Sequence, residues 1–280
     1  MMKNKKSRKQ TLRLKKEVKF AIGILVAIIL IGVVIAILST KSSNTKVTKH
    51  KENKEQEIKI EKKLKIIDES SNSRPIAVMI NNIGVARKVQ SGVQDAYIVY
   101  ELVVEGGITR MMGIYKDSDA SRIGSVRSSR HYYLDYAMEN DAIYVHYGWS
   151  PQAQADISSF RINNINGDPS AFWRETNLGV SSEHTAFTSM EKIRATIDKK
   201  GYRKTSDQRT LLNYSVDEID MSTMEGAVVA NKVKIPYSSY YVDYTYDAEN
   251  KVYVRSPKGD NSAVDYVTKK QITPKNIITY

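Results

Sequence analysis

The first strong signal in the pattern of apolar and polar positions is Phe20–Leu38, 19 residues without a charge. At about 1.5 Å per residue such a helix spans ~28 Å, close to the ~30 Å hydrocarbon core of a bilayer. A cleavable signal peptide has a shorter apolar region that ends in small residues. Ile37-Leu38-Ser39-Thr40 offers no such site, so residues 20–38 are read as a transmembrane signal-anchor helix. Residues 39–73 then run through Lys, Glu, Ser and Asn with no Phe, Trp or Tyr. They cannot bury enough apolar surface to fold alone, and they are read as a flexible polar stalk. Glu57–Ile67 (EIKIEKKLKII) has the spacing of a short amphipathic helix, but a solvated stalk is the preferred reading there.

All 18 tyrosines and all six prolines lie beyond Ser73, where the pattern becomes that of a folded body. Ile76–Ile80 (IAVMI) predicts a short buried strand and Asn81–Gly92 a loop. Ala96–Val104 is a second apolar run, ended by Gly106-Gly107, and Ile108–Tyr115 alternates as a strand does. Tyr132, Tyr133, Tyr136 and Ala137 give Ser128–Asn140 a helical spacing, and Ala142–Tyr147 reads as a strand. Ser150-Pro151 marks a helix start, since Ser caps and Pro suits the first turn. Met190–Lys200 is a further helix, closed by Gly201. Beyond Ser222, the segments Ala227–Ile235, Tyr240–Tyr246 and Lys251–Arg255 are strand-like. Asp247–Asn250 forms a hairpin turn between the last two, and Ile277–Tyr280 is one more strand. The expected fold is a mixed α/β (α+β) N-terminal domain at residues 74–222, of ordinary domain size, followed by a β-rich domain at 223–280. The sequence stops inside the last expected strand. A small β domain needs more strands to cover its core, so this one is expected to be incomplete.

A net charge of +12 invites a nucleic-acid reading, and the placement of the charge removes it. Residues 1–73 hold 18 Lys/Arg and 7 Asp/Glu, whereas residues 74–280 hold 25 and 24. The body is nearly neutral and lacks the electrostatic footprint of a nucleic-acid binder. No nucleic-acid partner is expected. The basic tail, residues 1–19, carries nine Lys/Arg and one acid. By the positive-inside rule it stays in the cytoplasm and everything after Leu38 is exported. The expected location is therefore the cell membrane, single-pass through residues 20–38, with an extracytoplasmic body. The chain has no cysteine, which excludes disulfides, thiolate metal ligands, a thiol nucleophile and a lipid-bearing Cys.

The chemistry-bearing residues concentrate between Tyr97 and His131. Gly124–His131 (GSVRSSRH) reads as a strand end passing into a helix N-terminus, where free N–H groups and the helix dipole favour an anion. Arg127 and Arg130 can fork onto phosphate or carboxylate oxygens. Arg110 follows the close-approach pair Gly106-Gly107, and Ser128 and Ser129 add hydroxyls. Two readings of the arginines stand side by side. They hold an anionic ligand, or they pair internally with Glu101, Glu105 or Asp135 to tie strands together. Glu101, Glu105, His146, Glu183 and His184 are the candidate bases or metal ligands. No HxxxH or HExxH spacing occurs, so no metal is expected. There is no G-x-S-x-G elbow, no P-loop and no dinucleotide fingerprint, and no cofactor is expected. Tyr237–Tyr246 (YSSYYVDYTY) has the composition of a sugar-stacking surface but also of an ordinary antiparallel sheet.

At these residues the chain resembles a known family. The motifs are RPIAVMINN at Arg74–Asn82, ARKVQSGVQDAYIVYELVVEGGITRMMGIY at Ala86–Tyr115, IGSVRSSRHYYLDYA at Ile123–Ala137, AIYVHYGWSPQA at Ala142–Ala153 and EHTAFTS at Glu183–Ser189. YTYDAENKVYVRSPKG at Tyr244–Gly259 and VDYVTKKQITPKNII at Val264–Ile278 extend the match. It is similar to the YerB-like lipoproteins of Gram-positive bacteria, a two-domain family of unknown function. The resemblance implies an exported protein with a mixed N-terminal domain and a β-rich C-terminal domain that continues past Asn276. Family members often carry a lipobox Cys, which this chain lacks. They usually have Pro-Gln where Lys88-Val89 stand and Pro where Ser125 stands. The resemblance implies location and fold, and no reaction.

The leading expectation is a membrane-anchored envelope protein that binds an anionic wall precursor, a polymer or an envelope protein through Arg110, Arg127 and Arg130. One alternative is an enzyme on lipid-linked wall intermediates, a phosphotransferase or hydrolase with Glu101, Glu105 or His146 as base or metal ligand. Another is a purely structural scaffold.

Overall fold

Strand β1 (Ile76–Asn81) carries five consecutive apolar residues because it is buried on both faces. The computed structural model describes residues 66–208, 210–259 and 263–280. Around β1 follow a short helix α1 (Gly84–Arg87), β2 (Ile98–Val103), β3 (Thr109–Tyr115), β4 (Ile123–Gly124) and helix α2 (Tyr132–Glu139). Then come β5 (Ile143–His146), α3 (Pro151–Ser159), β6 (Asn164–Asn166), β7 (Phe172–Arg174), β8 (Ala186–Thr188) and α4 (Met190–Lys200). The chain continues through β9 (Lys232–Pro236), β10 (Tyr241–Asp247) and β11 (Val252–Pro257). Among the described residues these strands form a five-stranded sheet, β2-β3-β1-β5-β6, and two three-stranded sheets, β4-β8-β7 and β11-β10-β9.

The central sheet is mixed. β2, β3 and β1 pair antiparallel, while β1, β5 and β6 run parallel. Its two-residue side-chain period separates two cores. Ile76, Val78 and Ile80 face Met111, Ile143, Val145 and the buried side of α4, with Ile123 and Phe172 of the small sheet beside them. Ala77 and Met79 face Met112, Ile114 and Tyr144 and are covered by Tyr133, Leu134 and Ala137 of α2 and Ile157 of α3. The predicted caps are in place. Ser150 accepts from the Ala153 N–H ahead of Pro151 in α3, and Gly201 closes α4 in the left-handed region.

Several expectations need correction. Helix α2 begins at Tyr132, not Ser128, because Ser129 N–H donates to Gly148 O and Ser150 N–H to Ser129 O. These bonds hold the preceding turn in an extended form beside β5. The strand expected at Ala227–Ile235 begins at Lys232, with Val228 and Val229 exposed. Ile277–Tyr280 is no strand; Ile278 and Tyr280 are exposed and pair with nothing in a ladder. β4, β6, β7 and β8 have two or three residues each, too few to show a period. The tail at 1–19, the expected membrane helix at 20–38 and most of the stalk lie outside the described residues. Among the described residues no helix is long and apolar enough to cross a membrane. The last residues assigned to the stalk join the body: Ile67 is buried, and Ser73 bridges to Thr205.

The sheet β11-β10-β9 packs Val242, Tyr240 and Tyr244 on its buried face. It docks on the central sheet through specific polar contacts. Gly92 N–H donates to Asp265 Oδ2 at 2.7 Å, Tyr266 N–H to Gln90 O at 2.8 Å and Ser239 Oγ to Gly107 O at 2.9 Å. Gly92 has φ +77°, and a Cβ there would meet Arg122 O at 2.8 Å, so both the turn and the docking need glycine. The α2 contact is the simplest place to test this packing. Leu134→Ala should lower unfolding free energy by about 2–5 kcal/mol, read as a lower urea midpoint at unchanged slope.

Candidate functional site

Arg110, Arg127 and Arg130 do come together, at the edge where the parallel strands β1 and β5 end. Arg110 pairs in register with Asn81, the last residue of β1. Arg127 N–H donates to Met79 O and Tyr147 N–H to Arg127 O, so the arginine-bearing turn is stitched between β1 and the end of β5. Gly148 (φ +84°) lets this turn approach, since a Cβ there would sit 2.9 Å from Ser128 Oγ. In sheets with parallel strands this carboxyl edge is where ligands usually bind.

The three guanidiniums form a gradient of exposure, with side chains 8%, 16% and 25% exposed for Arg110, Arg130 and Arg127. Arg110 donates to Ser128 O at 2.6 Å and lies 3.9 Å from Glu105. Arg130 pairs with Glu105 through Nε and donates to Ser129 O at 2.8 Å. Arg127 pairs with Glu183 at 2.9 Å. Three cations thus face two carboxylates. Burial, and then the like charges of Arg130 and Arg127, push Arg110 down to about 10, more than Glu105 restores. The hydrogen bond from Arg130 holds Glu105 below the usual carboxylate range. The edge keeps a surplus of positive charge.

The serines play another part than expected. Ser128 Oγ donates to Tyr147 O, and Ser129, fully buried, accepts from Tyr144. The backbone N–H groups of Val126, Arg127 and Ser129 are spent on Ala186, Met79 and Gly148 carbonyls. The donors still offered at this edge are therefore guanidiniums, since these N–H groups of the turn are used internally. Asp135 is not among the arginines' partners; Glu105 and Glu183 are.

Glu101 belongs to a different cluster. It accepts from Arg255 at 3.0 Å and from Asn82 and Thr109 at 2.8 Å, with the Arg255 and Glu101 side chains 4% and 9% exposed. Tyr240 OH lies 3.2 Å from Arg255. Burial works against the Arg255 charge, but Glu101 and the Tyr240 and Tyr244 phenols outweigh it and raise its pKa. With its oxygens so engaged, Glu101 is occupied as a structural counter-ion. His184 accepts from Asn81 at Nδ1, 2.8 Å away, and its Nε2 lies 3.6 Å from Glu183. Burial lowers its pKa despite Glu183. His146 is fully buried, its ring tilted against those of Tyr144 and Trp149, with Nδ1 2.8 Å from Gly148 O. Burial drops it to about 4, so it is neutral and inside the core. No group of three or more His, Asp or Glu suited to a metal occurs among the described residues. Sequence reasoning missed Asn81, Asn82 and Arg255. The Asn-Asn pair closing an apolar strand was the available signal for the first two; Arg255, inside a regular strand, gave none.

A body of two sheet systems joined by a buried ion pair, with an arginine edge, defines a two-part α+β class. The match to family models agrees: residues 64–203 match the N-terminal domain and residues 233–280 the C-terminal domain described as "Protein of unknown function (DUF3048)". The chain belongs to this family. It is 33% identical over 221 residues to the "Putative lipoprotein YerB" of Bacillus subtilis (strain 168), covering 76% of this chain and 64% of that one. The crystal structure of YerB from Bacillus subtilis superposes with a TM-score of 0.59 at 31% identity, over 72% of this chain and 66% of that one. The chain spans just under two thirds of the length of this relative.

Two outcomes follow from these side chains. Arg255→Met strands Glu101 in the interior and should cost about 3–5 kcal/mol, whereas the double change with Glu101→Leu should recover most of it; chemical denaturation of the pair of variants checks this. His146 sets a pH dependence. Its folded pKa lies below the ordinary 6.5, so the unfolded chain takes up the proton first. Its contribution is complete above pH 6.5 and is lost as pH falls towards 4, by roughly 3 kcal/mol. Denaturation at stepped pH should show that slope in the parent chain and a shallower one in His146→Gln, where His184 still contributes.

Proposed function

We propose that this chain is a cell-envelope protein, held at the membrane by residues 20–38, whose extracytoplasmic body binds a phosphate-bearing wall polymer or precursor through Arg110, Arg127 and Arg130. The observation that carries the reading is the charge imbalance at the carboxyl edge of β1 and β5: three guanidiniums against Glu105 and Glu183. An anion placed there relieves the like-charge repulsion that adds to burial in lowering Arg110. Arg127, the most exposed of the three, meets the ligand first, and Arg130 and Arg110 supply the deeper charge. Guanidiniums suit phosphate oxygens because their paired donors match them in a plane. The envelope location is supported by the lipoprotein name of the Bacillus subtilis relative. With no cysteine to carry a lipid, the apolar run Phe20–Leu38 takes the anchoring role.

The reading favours binding over catalysis because Glu101 and Glu105 are engaged by arginines and His146 is sealed in the core. Sedimentation of the protein with isolated cell-wall material tests it. Arg127→Ala and Arg130→Ala should each weaken binding about tenfold, the size of one charge-assisted contact, with binding falling as salt rises and the thermal transition retained. Equal binding by the parent chain and both variants would overturn the proposal and leave the arginines as braces for the turn.

A further inference from the structure

At the opposite end of the central sheet, where β1 and β5 begin, the first core meets a solvent-open cleft. A cavity of about 210 Å³ opens there. Its apolar walls are Ile76, Tyr115 and Ile143 from the sheet and Met190 and Ile197 from α4. Each of these five is less than a tenth exposed and belongs to the continuous core on that face. An apolar void of ~150 Å³ stays dry and is large enough to take benzene. The rim has a different chemistry: Arg74, Arg194 and Lys204 against Asp117.

Arg74 is tied down by Asp141 O and Asn163 Oδ1, each at 2.7 Å. Arg194 pairs with the exposed Asp119 and donates to Ser118 O, and Lys204 pairs with the exposed Asp198. Such surface pairs are worth little and exchange readily for another anion. We infer that this cavity is a binding site for a small monoanionic amphiphile, with its short aliphatic or aromatic end inside the core and its carboxylate at Arg194. The apolar walls admit no charged group, and the volume excludes a long acyl chain in one piece. Arg194, held by contacts at the surface, selects the sign of the head. The site is separate from the arginine edge, since Ile76 and Asn81 lie at opposite ends of β1.

The test is titration of the full chain with hexanoate and, separately, with hexanol, followed by methyl NMR and calorimetry. The expected result is saturable binding of hexanoate with shifts at the Ile76, Ile143 and Met190 methyls. Arg194→Gln should weaken hexanoate about tenfold and leave hexanol unchanged. Ile197→Phe, which fills the cavity, and Ser118→Trp, which blocks its mouth without entering the core, should each abolish binding of both probes. Absence of methyl shifts with either probe, or hexanoate binding undiminished in Ser118→Trp, overturns the site. An equal effect of Arg194→Gln on both probes overturns the assignment of the head group.

Discussion

A guanidinium enters a protein interior only when a carboxylate goes with it, and the pairing of Arg255 with Glu101 meets that condition at the junction of the two sheet systems. Arg255 stands on β11 opposite Tyr244, and Glu101 on the edge strand β2 of the central sheet. Neither charge is tolerable there without the other. The C-terminal sheet is therefore held to one position against β2, and Asn82 and Thr109 complete the carboxylate's shell. Asp265 and Tyr266 make the same junction from the far side through Gly92 and Gln90. An apolar contact of equal area would tolerate sliding. A buried charge pair does not.

That fixed junction leaves the carboxyl edge of β1 free to carry a different electrostatic arrangement. Two residues past the loop that bears Glu105, the backbone delivers Thr109 to the structural network and Arg110 to the arginine group. The separation follows from the strand period: neighbouring side chains on β3 point to opposite faces. One edge thus holds a balanced pair, and beside it a cluster in which cations outnumber anions. The opposite edge, at Ile76 and Ile143, is apolar inside and basic only at its rim. The two ends of the sheet offer two distinct chemistries in a body whose net charge is close to zero.

The elements with long or two-sided patterns could be read directly. IAVMI announced a strand buried on both faces, and Ser150-Pro151 and Gly201 marked helix ends through capping that involves only neighbouring residues. The convergence of Arg110, Arg127 and Arg130 was also within reach, because Gly and Ser around charged residues at strand ends suggest a polar site. Their partners were not. Glu105 and Glu101 look alike in the sequence, four residues apart in one apolar stretch. Only the course of β2 into the following turn sends one to Arg130 and the other to Arg255. The late start of α2 was equally hidden, since hydrogen bonds to Gly148 and from Ser150, about 20 residues on, replaced the turn that local spacing favoured.

The sequence by itself determined the near-neutral body, the order of its main strands and helices and the family to which it belongs. These depend on composition and on patterns that repeat within a few residues. Tertiary structure decided which arginines are structural and which remain in surplus, that His146 lies neutral in the core, and that a cavity opens behind β1 and α4. Each of these depends on residues brought together from distant parts of the chain, and on whether burial or a neighbouring charge prevails at the point where they meet.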